Sequence, residues 1–346
     1  MKKIDPKNER LKLDYQDYLR HADGLDHKTI DKVMTAIRQF EISTNCKPFL
    51  HFNKEQAMAF KDWLDTARNA RTGKPLSVAT IGSTLRMVRE FFRWVAGQKG
   101  YKSAIGRNDW VYFKQARKDA RAAQASTPRP VPSVEQVQRA FEGMACATSI
   151  QKRDRALLAV LALTGARIGA VASLRLKHVD LERRHVFQDA REVNTKAAKT
   201  MNTTFFPMGD EYIAALADYI THMTQDLMFG PEDALFPKVE MVVGPNGFQV
   251  AGLSRHPFAS TGPLIEIVKG AFVAVQLPAY TPHSFRHMLA LHGDKLCSTR
   301  EQFKAWSQNL GHTNPMTTVS SYMPVSADSQ RTIILGLDDE GLGNSH

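Results

Sequence analysis

Cysteine is scarce in this chain of 346 residues: Cys46, Cys146 and Cys297 stand far apart, and no CxxC pair occurs. That spacing argues against a disulfide framework and a cysteine zinc site, and a reducing cytoplasm is the expected compartment. Long apolar runs are missing as well. None approaches the roughly 20 residues needed to cross a bilayer, and the polar stretch from Met1 to Arg10 does not read as a signal peptide. Neither a Walker loop nor a dinucleotide-binding glycine pattern is found, and there is no internal repeat or low-complexity tract. Acidic residues are in the minority, 35 Asp and Glu against 46 Lys and Arg, for a net charge of +11. No cluster of carboxylates suggests a Mg²⁺ site. A balance of this sign favours a polyanionic partner, although charge alone does not separate DNA from RNA or an acidic membrane.

The length allows two domains, each with its own core. Residues 1–8 read as a polar leader, and from Leu11 to about Ala125 the apolar spacing is helical. Ile30, Val33, Met34, Ile37 and Phe40 mark one helix. Phe52, Met58, Phe60, Trp63 and Leu64 mark a second, with Asn53 as its cap. After a turn at Arg71–Pro75, Ser77 opens a third that carries Ile81, Leu85, Val88, Phe91, Phe92 and Val95. Arg86, Arg89 and Arg93 line its other side, either as a basic face pressed on phosphates or as a solvated face. Lys102 to Arg121 is again basic, with Trp110, Tyr112 and Phe113 among the charges. Ala122 to Ser133 then turns to Ala, Ser and Pro, and three prolines there oppose helix and mark an interdomain linker. The expected division is 1–122 for a helical domain, 123–133 for the linker, 134–325 for a second domain and 326–346 for a tail.

The second domain opens with Ser133 capping a helix and Gln136 three residues on. A buried helix from Asp154 to Thr164 runs into Thr164-Gly165-Ala166-Arg167. Gly165 permits a sharp turn, and an arginine set there near the core needs an anion, either a ligand or an Asp or Glu of the chain. Between His185 and Met208 the strand formers Val186, Phe187, Val193 and Thr203–Phe206 predict a small antiparallel sheet. Its loop, Asn194–Asn202, carries Lys196 and Lys199. Glu211–Met228 is predicted helical, Gly230–Gly262 irregular because it is rich in Gly and Pro, and Leu264–Val275 helical.

The stretch that follows is Thr281-Pro282-His283-Ser284-Phe285-Arg286-His287. Pro282 suits the first turn of a helix and Thr281 its N-cap. His283, Arg286 and His287 then share one face near the helix N-terminus, while Met288, Leu289 and Leu291 offer an apolar side. The dipole and the guanidinium fork both favour a phosphate there. A helix at Glu301–Leu310, then Gly311-His312 and Tyr322, complete the pattern. His283 and His287 lack the Glu and the third ligand of a zinc site, so no metal is expected, and His287 is read as a packing or hydrogen-bonding residue.

An arginine in Thr-Gly-x-Arg, a hairpin lysine, His-x-x-Arg, Leu-Gly-His and then a tyrosine, in that order, resemble the tyrosine recombinase (phage integrase) family. The resemblance covers about Ser133 to Tyr322 and extends more weakly to the N-terminal helices. It implies a mainly α fold with a small antiparallel sheet, in which a helical core-binding domain and a catalytic domain form a C-shaped clamp on double-stranded DNA. It also implies site-specific strand cleavage and rejoining through a 3′-phosphotyrosine bond, for a mobile element, with no cofactor. Arg167 and Arg286 match the family's two catalytic arginines, Lys196 its hairpin lysine, with Lys199 as the other choice. His283 and His312 match its histidines and Tyr322 its nucleophile, with Tyr280 a distant second choice. A homotetramer on DNA, with the C-terminal tail docked on a neighbour, is implied too, and accessory DNA-bending proteins are further candidate partners. In this reading the guanidiniums clamp the non-bridging oxygens and His312 adds a hydrogen bond. His283 serves as acid or base, and Lys196 protonates the leaving 5′-oxygen.

The chain departs from the family in two places. Ala170 stands where an acidic residue is usual, which leaves Asp180 or Glu182 to support Arg167. The interval from His312 to Tyr322 is ten residues, one longer than the commonest spacing. The alternatives are a type IB topoisomerase-like enzyme that nicks and reseals, and a non-catalytic DNA-binding protein on the same fold.

Overall fold

The computed structural model describes residues 5–335 apart from 71, 107, 117, 120–129, 245–246, 313, 315, 317 and 320–326. The chain divides into two compact units, Met1–Thr127 and Pro128–His346. Most of the expected linker lies outside the described residues.

The first unit is built from α1 (Pro6–His21), α2 (His27–Ser43), α3 (Lys54–Thr66) and α4 (Val78–Val95). Each starts where a short polar side chain takes up an orphan backbone amide: Asp5, Asp26, Asn53 and Ser77 accept from N–H groups two or three residues on. Leu85, Val88, Phe91, Phe92 and Val95 of α4 are buried, as the spacing predicts. They meet an aromatic cluster in which Phe92 lies edge-on to Phe40 at 4.9 Å and stacks on Phe52 at 3.8 Å. Such pairs contribute about 1 kcal/mol each beyond their buried area. Phe113, from a short 3₁₀ turn at Asp109–Phe113, closes the cluster.

In the second unit α5 (Val134–Glu142) opens with the capping box of Ser133 and Gln136. The helix α6 (Ser149–Thr164) starts earlier than its apolar run, because Thr148 and Gln151 form a second capping box. Residues Ala156 to Leu163 of α6 are completely buried, so this helix is enclosed on all sides and forms the axis of the unit. Gly165 ends it, and the short α7 (Ile168–Val171) follows at once.

The sheet is three-stranded and antiparallel in the order β1 (Val179–Asp180), β2 (His185–Gln188), β3 (Met201–Thr204). Val186 pairs with Thr203, and both point inward. Phe206, just past β3, donates its amide to Leu163 O at 2.7 Å and so ties the sheet to α6. Val193, predicted in a strand, lies in the loop between β2 and β3, where it is buried. Next come α8 (Asp210–Thr221) and a π-helical turn at His222–Asp226.

One expectation fails here. Gly230–Gly262 contains a long hairpin of β4 (Pro237–Gly244) and β5 (Gly247–Pro257). Val239, Val242, Val243, Phe248 and Val250 are strand formers, and they outweigh the glycines. The glycines serve the hairpin instead: Gly247 begins β5 at φ +103° and Gly252 lies near the bulge at φ +142°. The unit is completed by α9 (Gly262–Ala274), α10 (Pro282–Leu296), α11 (Arg300–Asn309) and α12 (Ala327–Leu335). Among the described residues no helix is long and apolar enough to cross a membrane.

Candidate active site

The site starts from the turn after α6. Gly165 has φ +56°, a left-handed conformation in which a side chain is strained. A Cβ there would lie 2.9 Å from Leu289 Cδ1 and 3.1 Å from Leu310 Cδ2. The glycine therefore lets α6 stop directly against α10 and the end of α11. Two residues later Arg167 is extended (φ −68°, ψ 137°) at the N-cap of α7 and half-buried. No hydrogen bond or ion pair to its guanidinium occurs among the described residues. Neither acidic residue expected to support it does so. Asp180 accepts from the Arg183 amide at 2.8 Å, and Glu182 is exposed. Ala170 is buried and has no side-chain acceptor.

The helix α10 has Pro282 in its first turn and Thr281 at the N-cap, but the Thr281 hydroxyl makes no capping bond. Ser284 Oγ instead donates to Thr281 O at 2.6 Å. Pro282, Phe285, Met288 and Leu289 are buried, so α10 docks with Arg286 facing inward. Arg286 is only 3% exposed. Its Nη1 donates to Gly165 O at 3.3 Å and its Nη2 to Leu310 O and to His312 Nε2, the latter at 2.7 Å. The three polar residues of the motif thus do not share one environment. His283 is exposed, His287 half-buried and Arg286 enclosed. Spacing placed them on one face but did not show that this face packs against the turn at Gly165.

The Arg286 contact also fixes the state of His312. A guanidinium can only donate, so His312 Nε2 is the acceptor and the ring proton sits on Nδ1. Nδ1 then donates to Thr318 Oγ1 at 2.7 Å, and Thr318 is bonded to Ser307 Oγ at 2.7 Å. Burial, followed by the positive charges of Arg286, Arg167 and Lys199, lowers the His312 pKa from 6.5 to about 4. The ring is neutral at pH 7 and accepts from Arg286. In this arrangement His312 accepts from Arg286 and helps to hold its guanidinium in place.

A cavity of about 510 Å³ opens beside these groups, lined by Arg167, Lys196, Lys199 and Arg286 together with Thr195 and Gln188. Its described lining residues include no acidic side chain. Lys196 begins a 3₁₀ turn, Lys196–Ala198, within the loop between β2 and β3. The loop is pinned by the Asn194 amide on Ser173 Oγ at 2.8 Å and the Ala190 amide on Thr200 Oγ1 at 3.1 Å. Both lysines are exposed and both line the cavity. Four cationic side chains around one opening raise the local concentration of anions. His283, although on the same helix as Arg286, is not among the lining residues. Tyr322 lies outside the described residues. Tyr280, the second choice for nucleophile, is buried against Phe272 with its hydroxyl 3.3 Å from Gln136 Oε1. Among the described residues no group of three or more His, Cys, Asp and Glu could hold a metal ion.

Sequence reasoning missed several residues of this region. Gln188 Nε2 donates to Thr203 Oγ1 at 2.9 Å inside the lining. Asn309 pairs with the Thr204 backbone through two bonds of 2.8 Å and so fixes β3 to α11. Asn309 stands directly before Leu310-Gly311-His312, and that position was the available signal. In the first unit, Arg89 makes a two-pronged bond to Glu90 Oε1 at 3.1 and 2.7 Å, and Arg93 Nε lies 3.2 Å from Glu90 Oε2. Arg86 is exposed. The basic face of α4 is thus partly offset by an acidic residue within it.

Comparison with known proteins agrees with this chemistry. Residues 133–328 match the phage integrase family. The chain belongs to that family, the tyrosine recombinases. It is 25% identical over 262 residues to tyrosine recombinase XerC 2 of Ralstonia nicotianae, covering 75% of this chain and 65% of that relative's length. It is 24% identical over 319 residues to tyrosine recombinase XerC of Escherichia coli O1:K1, covering 89% of this chain and 90% of the relative. Among solved structures, a lambda integrase dimer bound to a core site aligns with 91% of this chain and 95% of its own at a TM-score of 0.61 and 14% identity. The Tn1549 transposon integrase in complex with a circular intermediate DNA aligns with 94% of this chain and 99% of its own at a TM-score of 0.59 and 18% identity. These two likenesses are of fold.

Proposed function

We propose that this protein is a site-specific DNA recombinase that cuts and rejoins strands through Tyr322. The observation that carries the reading is the cavity in which Arg167, Arg286, Lys196 and Lys199 converge with no carboxylate among the described lining residues. The two arginines hold the non-bridging oxygens of a phosphodiester and stabilise the charge that grows on them. The Tyr322 oxygen bonds to phosphorus as the bond to the 5′-oxygen breaks, and the 3′ side remains on the enzyme. The tyrosine proton passes to His283 at the exposed start of α10, and Lys196 supplies a proton to the leaving 5′-oxygen. A 5′-hydroxyl of another strand then attacks the phosphotyrosine, and the steps reverse. The ester conserves the energy of the broken bond, so rejoining needs no nucleotide. Double-stranded DNA is the proposed partner, a polyanion of the kind that the net charge of +11 favours. Arg86, Arg89 and Arg93 of the first unit are its candidate contacts. A homotetramer with exchanged tails, accessory bending proteins and service to a mobile element complete the reading.

The test uses nicked duplexes recovered by binding selection from a randomised pool, incubated with the protein in EDTA and run on a denaturing gel. A covalent protein–DNA band that maps to Tyr322 and disappears in Tyr322→Phe is the expected result. Tight binding without any band would make the chain a DNA-binding protein on this fold. A band retained by Tyr322→Phe would move the nucleophile elsewhere.

A further inference from the structure

Thr195 carries a hydroxyl that the described residues leave without a partner. Its Oγ1 is buried and makes no hydrogen bond among the described residues. Thr195 occupies the N-cap position of the Lys196–Ala198 turn, yet it makes no side-chain capping bond. A threonine at an N-cap ordinarily accepts from a backbone amide one turn on. The side chain lines the same cavity as Arg167, Lys196 and Arg286. Its described surroundings there supply few acceptors. Ala166 and Ala170 are apolar, and Thr203 Oγ1 is already engaged by Gln188 at 2.9 Å. The backbone at this point is held, with the Thr195 amide on Val193 O at 2.7 Å and the Asn194 amide on Ser173 Oγ at 2.8 Å. A buried hydroxyl without a partner is destabilising, and proteins retain few of them. One that shares a cavity with four cationic side chains is complemented by an oxyanion, which is an acceptor only.

We infer that Thr195 donates its O–H to a non-bridging oxygen of the phosphate held by Arg167 and Arg286. It is a further substrate-contacting residue of this site, placed one position before the lysine of the same turn. That the phosphate belongs to a DNA strand rests on the proposed function, whereas the affinity for a phosphate group does not.

Two variants separate a ligand contact from a structural role. Thr195→Val keeps the shape and removes the O–H, and Thr195→Ser keeps the O–H. The first measurement is thermal melting of the full chain with and without inorganic phosphate. Thr195→Val should melt no lower than wild type in buffer, because it deletes an unpartnered polar atom, but should lose most of the phosphate-induced rise. Thr195→Ser should keep that rise. The second is single-turnover formation of the covalent adduct at saturating DNA. Thr195→Val should slow it about tenfold with DNA affinity unchanged, a loss typical of one hydrogen bond to a charged oxygen, and Thr195→Ser should restore it. A Thr195→Val protein that melts several degrees lower in buffer would make the hydroxyl structural. A Thr195→Val protein with the wild-type phosphate rise would remove the contact. If wild type itself forms no adduct, the recombinase reading fails, and the phosphate arm still decides the role of Thr195.

Discussion

Acid should weaken the second unit through one imidazole. His312 is 6% exposed, accepts from Arg286 through Nε2 and donates through Nδ1 to Thr318. Adding a proton to Nε2 sets two N–H donors and two positive charges against each other at 2.7 Å. The folded-state pKa is therefore depressed, from 6.5 to about 4, chiefly by burial and then by Arg286. A depressed pKa gives stability that is fully present above the unfolded-state value and is lost as the pH falls toward the folded-state value. Unfolded chain takes up the proton from about pH 6.5, and folded chain resists until about pH 4. The linkage relation then gives a loss of about 2 kcal/mol by pH 5 and at most about 3 kcal/mol below pH 4. Urea unfolding at pH 7, 6 and 5 measures it, with Trp306 reporting on the second unit. The control is His312→Gln, whose amide can accept from Arg286 and donate to Thr318 but does not titrate. Wild type should lose about 2 kcal/mol more than His312→Gln between pH 7 and pH 5. Parallel profiles for the two proteins would mean that His312 is not held neutral and buried, and the account of how Arg286 is positioned would fall with it.

Other perturbations probe the remaining parts. Substituting Lys196 or Lys199 by Ala should slow strand cleavage, and a substrate with sulfur at the bridging 5′ position should restore the rate only for the lysine that protonates the leaving group, because a thiolate leaves without a proton. Lys196 is the one expected to be rescued. Gly165→Ala should destabilise the second unit by about 1–3 kcal/mol, from left-handed strain plus the clash with Leu289 and Leu310, and thermal melting reads it. Arg86→Ala should weaken DNA binding uniformly across sequences and reduce the slope of log affinity against log salt by about one. Glu90→Gln should do the opposite by releasing Arg89 and Arg93.

Much of the site could be read from the chain because backbone chemistry enforces it. A glycine before an arginine at the end of an apolar helix announces a left-handed turn, and Gly165 adopts one. Ser133 with Gln136 announces a helix start, and both bonds of the capping box are present. The loop with Lys196 and Lys199 follows from strand formers on either side. What spacing could not show was which face of a helix is docked. His283, Arg286 and His287 have the right offsets for a shared surface, yet the packing of Phe285 and Leu289 carries Arg286 inside and leaves His283 out. Nor could it show partners distant in sequence. Arg286, for one, reaches His312 across 26 positions. The hairpin of β4 and β5 was hidden because glycine and proline were read as breakers, when two of the glycines occupy conformations that the hairpin uses.

Arg286 has a neutral imidazole and two backbone carbonyls, those of Gly165 and Leu310, among its partners in the described chain. A carbonyl is the same in every residue type, so this part of its support survives substitution around it. What must be inherited is the path of the chain: a helix that ends at one point and another that ends beside it. As a source of acceptors, such a path places no demand on the identity of the residues that carry those carbonyls. It also tells a protein engineer where tolerance lies. Side chains that flank the arginine can be exchanged for others of similar bulk, whereas an insertion or deletion of a single residue in either turn would move the anchor itself.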